Sequence, residues 1–339
     1  MKNILLILTG GTIGSVNRNG VIGTDRGRCR VLEMYESEHD DCRFVIKSPM
    51  NILSENLDSR YWESLINYIL SLDLSEFDGM IITHGSDTLS YSSAMLGMCL
   101  NHLDIPTVIT AANFVPNDPR SNALMNFNAS VRLIENVKGG VYTVYGSGTA
   151  DGVEVYIPTR INEADRISDR FSSADGKPLA FIDRYGKIKS DTHFDMKVLE
   201  THKSLKELKS ILLKKSVCMI MPYPSLDYDK IIFDKNTGAV LHMTYHSATV
   251  NQKALTLLNR CKENGIPMYM CSFQKSAAVM YETSDIMLKN GALPLYDMNK
   301  ESAYAKLLIA VNLYGDDIEK FMNKNIYYEG VGDLNEIGN

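Results

Sequence analysis

A chain of 339 residues is longer than one hydrophobic core usually supports, so its length predicts two domains. Hydrophobic residues make up 45% of the chain and charged residues 22%, which is the composition of an ordinary globular protein. A net charge of −6 argues against nucleic acid or an anionic membrane as a general partner, and no apolar run in the sequence approaches the length of a membrane span.

The spacing of cysteines and histidines indicates neither a disulfide framework nor a metal site. None of the six cysteines forms a CxxC pair, and the seven histidines are scattered. His242 and His246 are four residues apart, but they fall on a predicted strand and its exit, where this spacing lacks the geometry of a helical metal pair. Because Met1 leads directly into the first predicted strand, without the pattern of a signal peptide, we expect a cytoplasmic protein with reduced cysteines.

The first predicted domain begins with two buried strands that each run into a short polar turn. Residues 3–8 form a continuous apolar run, typical of a strand buried on both faces, and a glycine-rich turn follows at 9–15. A second buried strand at 79–83 exits through a turn at 84–88, and a helix is predicted over 89–103. The polar segment 15–29 predicts an exposed loop of the kind that acts as a lid over a sheet edge.

The remaining elements alternate between strand and helix patterns. Further strands are predicted at 43–48, 107–110, 140–145, 152–157 and 179–182, and helices from 54 onward and over 121–137. This order predicts an α/β fold with a doubly wound, mainly parallel sheet in a catalytic domain at 1–190. A polar linker at 191–215, with a helix near 204–213, leads to a smaller α/β domain at 216–339, whose last predicted helix covers 303–311.

Two of the strand-exit turns carry the candidate chemistry. The first reads TGGT at 9–12 and the second HGSDT at 84–88, and both follow buried strands of one predicted sheet. Parallel strands open their carboxyl ends at the same edge, where ligands bind. A hydroxyl beside glycine on one turn, with a hydroxyl beside a carboxylate on the other, fits a nucleophile and its activator. Taken alone, the first turn is equally consistent with a tight strand exit whose hydroxyls only cap the backbone.

With these motifs in view, the sequence resembles the bacterial-type L-asparaginases, as a divergent member closer to their cytoplasmic, type I branch. The resemblance covers nearly the whole chain and is carried by TGGTIG at 9–14, SENL at 54–57, THGSDTLSYSSAM at 83–95, Arg120-Ser121, Asp151-Gly152 and Tyr223-Pro224. It implies hydrolysis of asparagine or a related carboxamide to the acid and ammonia through an acyl-threonine, with no metal and no cofactor. It also implies a homodimer or homotetramer.

The resemblance assigns roles to particular residues. Thr12 matches the nucleophile, while Ser86 and Asp87 match a pair in which the hydroxyl serves the chemistry and the carboxylate binds the substrate's α-ammonium group. Ser54 and Glu55 match positions that hold the substrate's α-carboxylate and its surroundings. The remaining substrate-contacting positions are Gly11, Gly85 and Ala112, and backbone N–H groups of the two turns would stabilise the oxyanion.

Several positions depart from the family pattern. Ser86 replaces a threonine, and Val21 stands where the lid tyrosine is expected, so no phenol is available there to polarise Thr12. Arg160 falls at the catalytic lysine in a loose alignment. Because a guanidinium does not give up its proton, the arginine is expected either to stabilise negative charge or to bind a carboxylate bidentately, and Lys177 or another group is the alternative for the role of the lysine. Alanines at 111 and 123 replace glycines, and a Gly-Asn stretch is replaced around Thr249.

Two further residues have ordinary interpretations beside functional ones. His84, just before Gly85, is a candidate for a general base, but in the context of this family it is expected to be a structural turn residue. Glu282 lies where some family members supply an acidic group to a neighbouring site, and it is expected at the surface.

Three accounts of the activity therefore remain open. The protein is an amidohydrolase for a modified or larger amide, an ordinary asparaginase that tolerates the changes, or a catalytically impaired member that binds an amino-acid-like ligand. An ammonia-donating amidotransferase component is a further alternative, although the additional N-terminal domain expected of the family's tRNA-amidating relative does not precede the first strand.

Overall fold

The computed structural model describes residues 1–18, 21–24, 29–147, 151–190 and 195–331, with 15–18 and 21–24 described by their backbone alone. The chain folds as two units, Met1–Ile211 and Leu212–Asn339. The predicted fold class is confirmed, since a large, mainly parallel sheet lies in the first unit and a smaller parallel sheet in the second. In the described part of the chain, no helix has both the length and the apolar character needed to cross a membrane.

The first unit contains most of the regular structure. Its strands are β1 (Lys2–Leu8), β2 (Ser15–Arg18), β3 (Val21–Thr24), β4 (Cys42–Lys47), β5 (Gly79–Thr83), β6 (Thr107–Thr110), β7 (Val141–Tyr145), β8 (Gly152–Tyr156), β9 (Ile161–Asn162), β10 (Ser172–Ser173), β11 (Ala180–Asp183) and β12 (Ile188–Ser190). Its helices are α1 (Arg30–Glu38), α2 (Ser59–Leu70), α3 (Leu89–Leu100), α4 (Ala123–Asn136) and α5 (Lys197–Thr201).

The eight-stranded sheet has the order β12-β11-β8-β7-β6-β5-β1-β4. Strands β4, β1, β5, β6 and β7 are parallel to one another, whereas β8, β11 and β12 pair antiparallel. The apolar run at 4–7 in β1 is completely buried, as expected for a strand covered on both faces. Because β1 and β5 are neighbours and parallel, their carboxyl ends at Leu8 and Thr83 lie side by side.

Two local predictions before α2 differ from the structure. Where the sequence predicted a loop at 15–29, β2 and β3 pair as an antiparallel hairpin, and α1 follows at Arg30. The helix predicted from Ser54 instead begins at Ser59. Asp58 accepts hydrogen bonds from the N–H groups of Arg60 and Tyr61, which satisfies the free donors of the first turn and places the helix start there. Ser54–Asn56 forms a single 3₁₀ turn.

The predicted helix near 204–213 is wrong, because this segment has no regular secondary structure. The amide of Asn67 binds both the carbonyl and the N–H of Ile211, and Asn101 accepts from the N–H of Ser204. These side chains from distant parts of the sequence satisfy backbone groups that a helix would otherwise satisfy internally. The only helix in the described part of the expected linker is α5.

The second unit is built on a four-stranded parallel sheet with strands in chain order. Its elements are β13 (Ser216–Ile220), β14 (Thr237–Met243), α6 (Ala254–Glu263), β15 (Met268–Phe273), α7 (Glu282–Lys289), β16 (Leu293–Tyr296), α8 (Lys300–Leu313) and α9 (Ile318–Met322). The last predicted helix is extended to Lys300, because Asn299 accepts from the N–H of Ser302 and caps it there. Lys306 of α8 forms a buried ion pair with Glu329 (2.6 Å), which attaches the segment after α9 to this helix.

Candidate active site

The turns that leave β1 and β5 pack backbone against backbone. Thr9 Oγ1 donates to the carbonyl of Thr83 at 2.6 Å, which ties the first turn to the end of the neighbouring strand. Gly11 has a φ of +76°, and a Cβ at this position would lie 2.5 Å from both Gly85 N and His84 O. Only glycine fits this conformation and this approach, so the two turns meet at Gly11.

A third segment joins the two turns through Ser54. The N–H of Ile52 donates to Thr9 O at 3.0 Å, and Thr88 Oγ1 donates to Ser54 O at 3.1 Å. A Cβ on Gly85 would lie 2.3 Å from Ser54 Oγ, so this glycine is required for the serine to approach. Ser54 Oγ lies 3.5 Å from Asp87 Oδ2, a long hydrogen bond between two predicted substrate-binding residues.

Exposure differs among the predicted site residues in a way that defines an open edge. The backbone of Gly11 and Gly85 is buried, Ser54 is 4% exposed, and Ala112 is completely buried. The side chains of Thr12 and Ser86 are half-buried, while those of Glu55 and Asp87 are exposed. At this edge the side chains of Thr12 and Ser86 are thus partly covered, and we refer to the more exposed carboxylates of Glu55 and Asp87 as its rim.

Asn122 and Asn126, which lie in the family-like stretch after Arg120-Ser121 but were assigned no role from the sequence, connect the exits of β6 and β7. Asn126 donates to Ala111 O at 2.8 Å and accepts from Gly146 N at 2.9 Å. Asn122 accepts from Asn113 N at 3.0 Å and donates to Gly146 O at 2.6 Å. The signal available in the sequence was two asparagines four residues apart, on one face at the start of a helix.

His84 is completely enclosed at the base of the second turn. Its Nδ1 lies 2.8 Å from Gly85 O, and since a carbonyl oxygen only accepts, Nδ1 carries the proton. Burial lowers the pKa of His84 to about 4, with the bond to Gly85 opposing the shift, so the ring is neutral at physiological pH. The ring of Tyr61 stands nearly perpendicular to the imidazole, with the ring centroids 6.1 Å apart.

Comparison with known proteins identifies the family. The model for the N-terminal part of asparaginases matches residues 3–193, which is more than half of the chain. The chain belongs to the asparaginase family.

Similar structures and relatives carry two different names. The fold is that of the thermostable L-asparaginase from Thermococcus kodakarensis (TM-score 0.77, 21% identity, 97% of this chain and 99% of that one) and of L-asparaginase I from Vibrio cholerae (TM-score 0.75, 21% identity, 97% and 99%). A glutamyl-tRNA(Gln) amidotransferase subunit from Methanobrevibacter smithii is 28% identical, covering 99% of this chain and 77% of the relative. The same subunit from Methanosphaera stadtmanae is also 28% identical, covering 91% and 72%.

Arg160, which the family resemblance places at a catalytic lysine, is a buried side chain paired with a partly exposed carboxylate. Its side chain is 1% exposed, and Nη1 lies 2.9 Å from Asp175 Oδ2. Its carbonyl accepts from the N–H of Ala174 at 2.7 Å, so backbone and side chain both bind the segment that follows β10. Asp175 also accepts from Ser173 Oγ. The structure thus provides this arginine with a carboxylate, and its catalytic role stays a prediction.

Other family positions fall in less informative places. The side chain of Val21, at the expected lid tyrosine, lies outside the described residues, and its backbone belongs to β3. In the second unit, the carbonyl of Thr249 accepts from Tyr245 N at 2.9 Å, and Glu282 is the exposed first residue of α7. The exposure of Glu282 agrees with its expected place at the surface.

Among the described residues, one group of side chains has the spacing of metal ligands. Asp41, Cys42 and Glu135 have ligand atoms within 4.8 Å of one another. Tyr35 donates to Asp41, and Arg132 pairs with Glu135, so both carboxylates already have partners. Cys42 begins β4, which puts the group at the amino-terminal edge of the sheet, opposite the glycine turns.

Proposed function

We propose that this protein hydrolyses a carboxamide, either asparagine or a related amide, to the acid and ammonia through an acyl-Thr12 intermediate. The observation that carries the proposal is the meeting of the two glycine turns at Gly11 and Gly85, beside the Ser54–Asp87 contact. Thr12 directly follows the first of these glycines and Ser86 directly follows the second. A hydroxyl nucleophile, a second hydroxyl and free backbone donors are the groups that amide hydrolysis requires.

In the proposed reaction, Thr12 Oγ attacks the amide carbon and its proton passes through Ser86 toward the leaving nitrogen. The carbon–nitrogen bond breaks, ammonia leaves, and a threonyl ester remains. Water then attacks the ester, returning the proton to Thr12 and releasing the acid. Backbone N–H groups of the two turns stabilise the oxyanion in both steps.

Substrate recognition is proposed at the rim of the same edge. Asp87 is exposed and carries a negative charge that attracts an α-ammonium group, while Ser54 Oγ and the region of Glu55 accommodate the α-carboxylate. Gly11, Gly85 and Ala112 contribute backbone groups. Arg160 contributes electrostatically, because its guanidinium keeps its proton and is fixed by Asp175.

Ammonia release tests this proposal directly. The wild-type protein is assayed with L-asparagine, D-asparagine and L-glutamine, and with Thr12→Ala and Thr12→Ser as a matched pair. We expect Thr12→Ala to lower kcat by more than about 1,000-fold, whereas Thr12→Ser keeps a hydroxyl and retains measurable turnover. Equal turnover by Thr12→Ala and the wild type would exclude the acyl-threonine mechanism.

A second candidate is an amidotransferase component, which the names of the relatives at 28% identity favour. In this role, the same site would release ammonia for transfer to an acceptor held elsewhere in an assembly. L-Glutamine turnover by the isolated chain, compared with L-asparagine turnover, separates the two functions. Fast release from L-asparagine by the isolated chain supports the hydrolase, and activity confined to a complex supports the amidotransferase.

We also propose that the active form is a homodimer or homotetramer. The rim carboxylates of Glu55 and Asp87 are exposed in the single chain, so the described residues leave the candidate site uncovered on one side. An amide substrate held at such an edge would otherwise remain open to water during the chemistry. Light scattering after size-exclusion chromatography decides the oligomeric state, and an active monomer would contradict the proposal.

A further inference from the structure

The hydrogen bond from His84 to Gly85 O determines the orientation of the next peptide group. The carbonyl of Gly85 and the N–H of Ser86 belong to the same trans peptide, so the two point in opposite directions. The imidazole holds the carbonyl toward the buried side of the turn at 2.8 Å. The N–H of Ser86 is therefore directed away from the imidazole. Ser86 is half-buried, as is Thr12, and each directly follows one of the two glycines at which the turns meet.

This N–H is available to a ligand. Within the described residues, the backbone N–H of Ser86 has no hydrogen-bond acceptor, although Ser86 O accepts from Leu89 N. The Cβ position of Gly11 lies 2.5 Å from Gly85 N, which keeps the residue before Thr12 against the residue before Ser86. A free donor one residue from this contact meets the requirement for oxyanion stabilisation.

We infer that His84 is a positioning residue, whose imidazole fixes the Gly85–Ser86 peptide so that the Ser86 N–H stabilises the oxyanion formed when Thr12 attacks the amide. The inference rests on the function proposed above and assigns a task to a residue that does not touch the substrate. This positioning is needed because Gly85 has no side chain. The backbone of a glycine has more rotational freedom than that of any other residue, so a hydrogen bond from another group has to fix the orientation of its peptide.

The remaining features of His84 fit a neutral side chain that fixes the backbone, rather than a general acid or base. The side chain is 1% exposed, so it exchanges no proton with a substrate at the edge. Its Nε2 has no hydrogen-bond partner in the described part of the chain, so the alternative tautomer, with the proton on Nε2, would lose the bond to Gly85 without gaining one there. The tautomer that holds the carbonyl is thereby favoured.

The test compares three side chains at position 84. His84→Asn places an amide N–H near the position of Nδ1 and keeps the bond, whereas His84→Leu removes the donor at similar volume. His242→Leu is the control, since His242 makes the same kind of bond in the second unit, from Nδ1 to Met243 O at 2.7 Å. Turnover of the best substrate among L-asparagine, D-asparagine and L-glutamine is measured for each, with a crystal structure of both variants at position 84.

We expect His84→Leu to lower kcat by about 10- to 100-fold while KM stays within about threefold, because the oxyanion donor acts only in the transition state. His84→Asn restores most of kcat, and His242→Leu leaves kcat unchanged. If His84→Leu does not fold, His84→Gln, whose amide extends one bond too far, takes its place. An unchanged kcat, or an equal loss in the Asn and Leu variants, would overturn the inference.

Failure of this inference is distinguishable from failure of the proposed function. A wild type without turnover, or an active Thr12→Ala variant, contradicts the amidohydrolase proposal. The crystal structures decide the positioning role independently, since we expect the Gly85–Ser86 peptide to be rotated in His84→Leu and retained in His84→Asn. A retained peptide in His84→Leu would refute the positioning role even in an active enzyme.

Discussion

The two units of the chain contain the same arrangement of a histidine at the carboxyl end of a parallel strand. His84 follows β5 and donates from Nδ1 to Gly85 O, and His242 in β14 donates from Nδ1 to Met243 O. Burial lowers the pKa of each to about 4. In both places a neutral imidazole therefore binds the carbonyl of the residue that follows it.

The difference lies in the other half of each peptide. The peptide that begins with the carbonyl of Met243 continues as the N–H of Thr244, which donates to Cys271 O at 2.7 Å within the second sheet. In addition, His242 Nε2 has Tyr228 Oη as a partner at 3.1 Å. The corresponding N–H of Ser86 and the Nε2 of His84 have no such partner among the described residues. The arrangement around His242 is closed, in the sense that its ring and the following N–H all have partners within the protein. The arrangement around His84 is open, because the N–H of Ser86 is left as a donor for a ligand.

The largest effect should come from adding a methyl group where the two turns meet. Gly11→Ala forces a Cβ to within 2.5 Å of Gly85 N at a φ of +76°, so the His84–Gly85 backbone has to move. We expect kcat/KM to fall by about 100-fold or more, because a displacement of about 1 Å misplaces the reacting groups. Gly14→Ala is the matched control, since a Cβ there meets no atom of the described residues within 4 Å. Comparable losses in both variants would show that the turn contact is not what matters.

The strands and the pairing of their turns were predictable because they depend on local patterns. The short apolar runs at 3–8 and 79–83, each followed by a glycine turn, predict buried strands, and adjacent parallel strands bring their exits to one edge. The task inferred for His84 was not predictable, because a bond from a ring to the next carbonyl leaves no trace in residue spacing. The sequence indicated a turn residue, and the structure shows which atom of the turn it binds.

Predictions failed where partners come from distant sequence. Asn67 and Ile211 are 144 positions apart, so the pattern at 204–213 could not reveal that Asn67 replaces the hydrogen bonds of a helix. For Arg160, the loose alignment with a family lysine carried no information about Asp175. The structural role of Asn122 and Asn126 could not be predicted for the same reason, since their acceptors are backbone carbonyls of other strand exits.

Acid should destabilise both units through their histidines. The unfolded chain takes up a proton on each histidine below a pH of about 6.5, whereas the folded chain does so only near pH 4. The unfolded state therefore binds more protons in this window, and the free energy of unfolding falls as pH falls from about 6.5 to 4, by up to about 3 kcal/mol for each histidine. The contribution of each histidine to this loss is measured by urea titrations at several pH values. Four proteins are compared: the wild type, His84→Asn, His242→Asn and the double variant.

Carboxylates are common to all four proteins, so the differences between their pH profiles isolate the two rings. We expect each single variant to lose part of the dependence between pH 4 and 6.5, and the double variant to lose both parts. A wild-type profile retained in the double variant would mean that neither ring resists protonation. Since the imidazoles are neutral above this window, neither should contribute to the pH profile of kcat near neutrality.

The smallest effect tests the closed arrangement alone. Tyr228→Phe keeps the ring that stacks on His242 at an interplanar angle of 13° but removes the hydroxyl that binds Nε2. A buried acceptor is left without its donor, so we expect the free energy of unfolding to fall by about 1 kcal/mol, with kcat unchanged. In a His242→Asn background the acceptor is absent, and the same substitution should cost less. If Tyr228→Phe lowered the free energy of unfolding equally in the two backgrounds, the hydroxyl would not stabilise the imidazole. The Nε2 atoms of His242 and His84 would then not differ in the way described above.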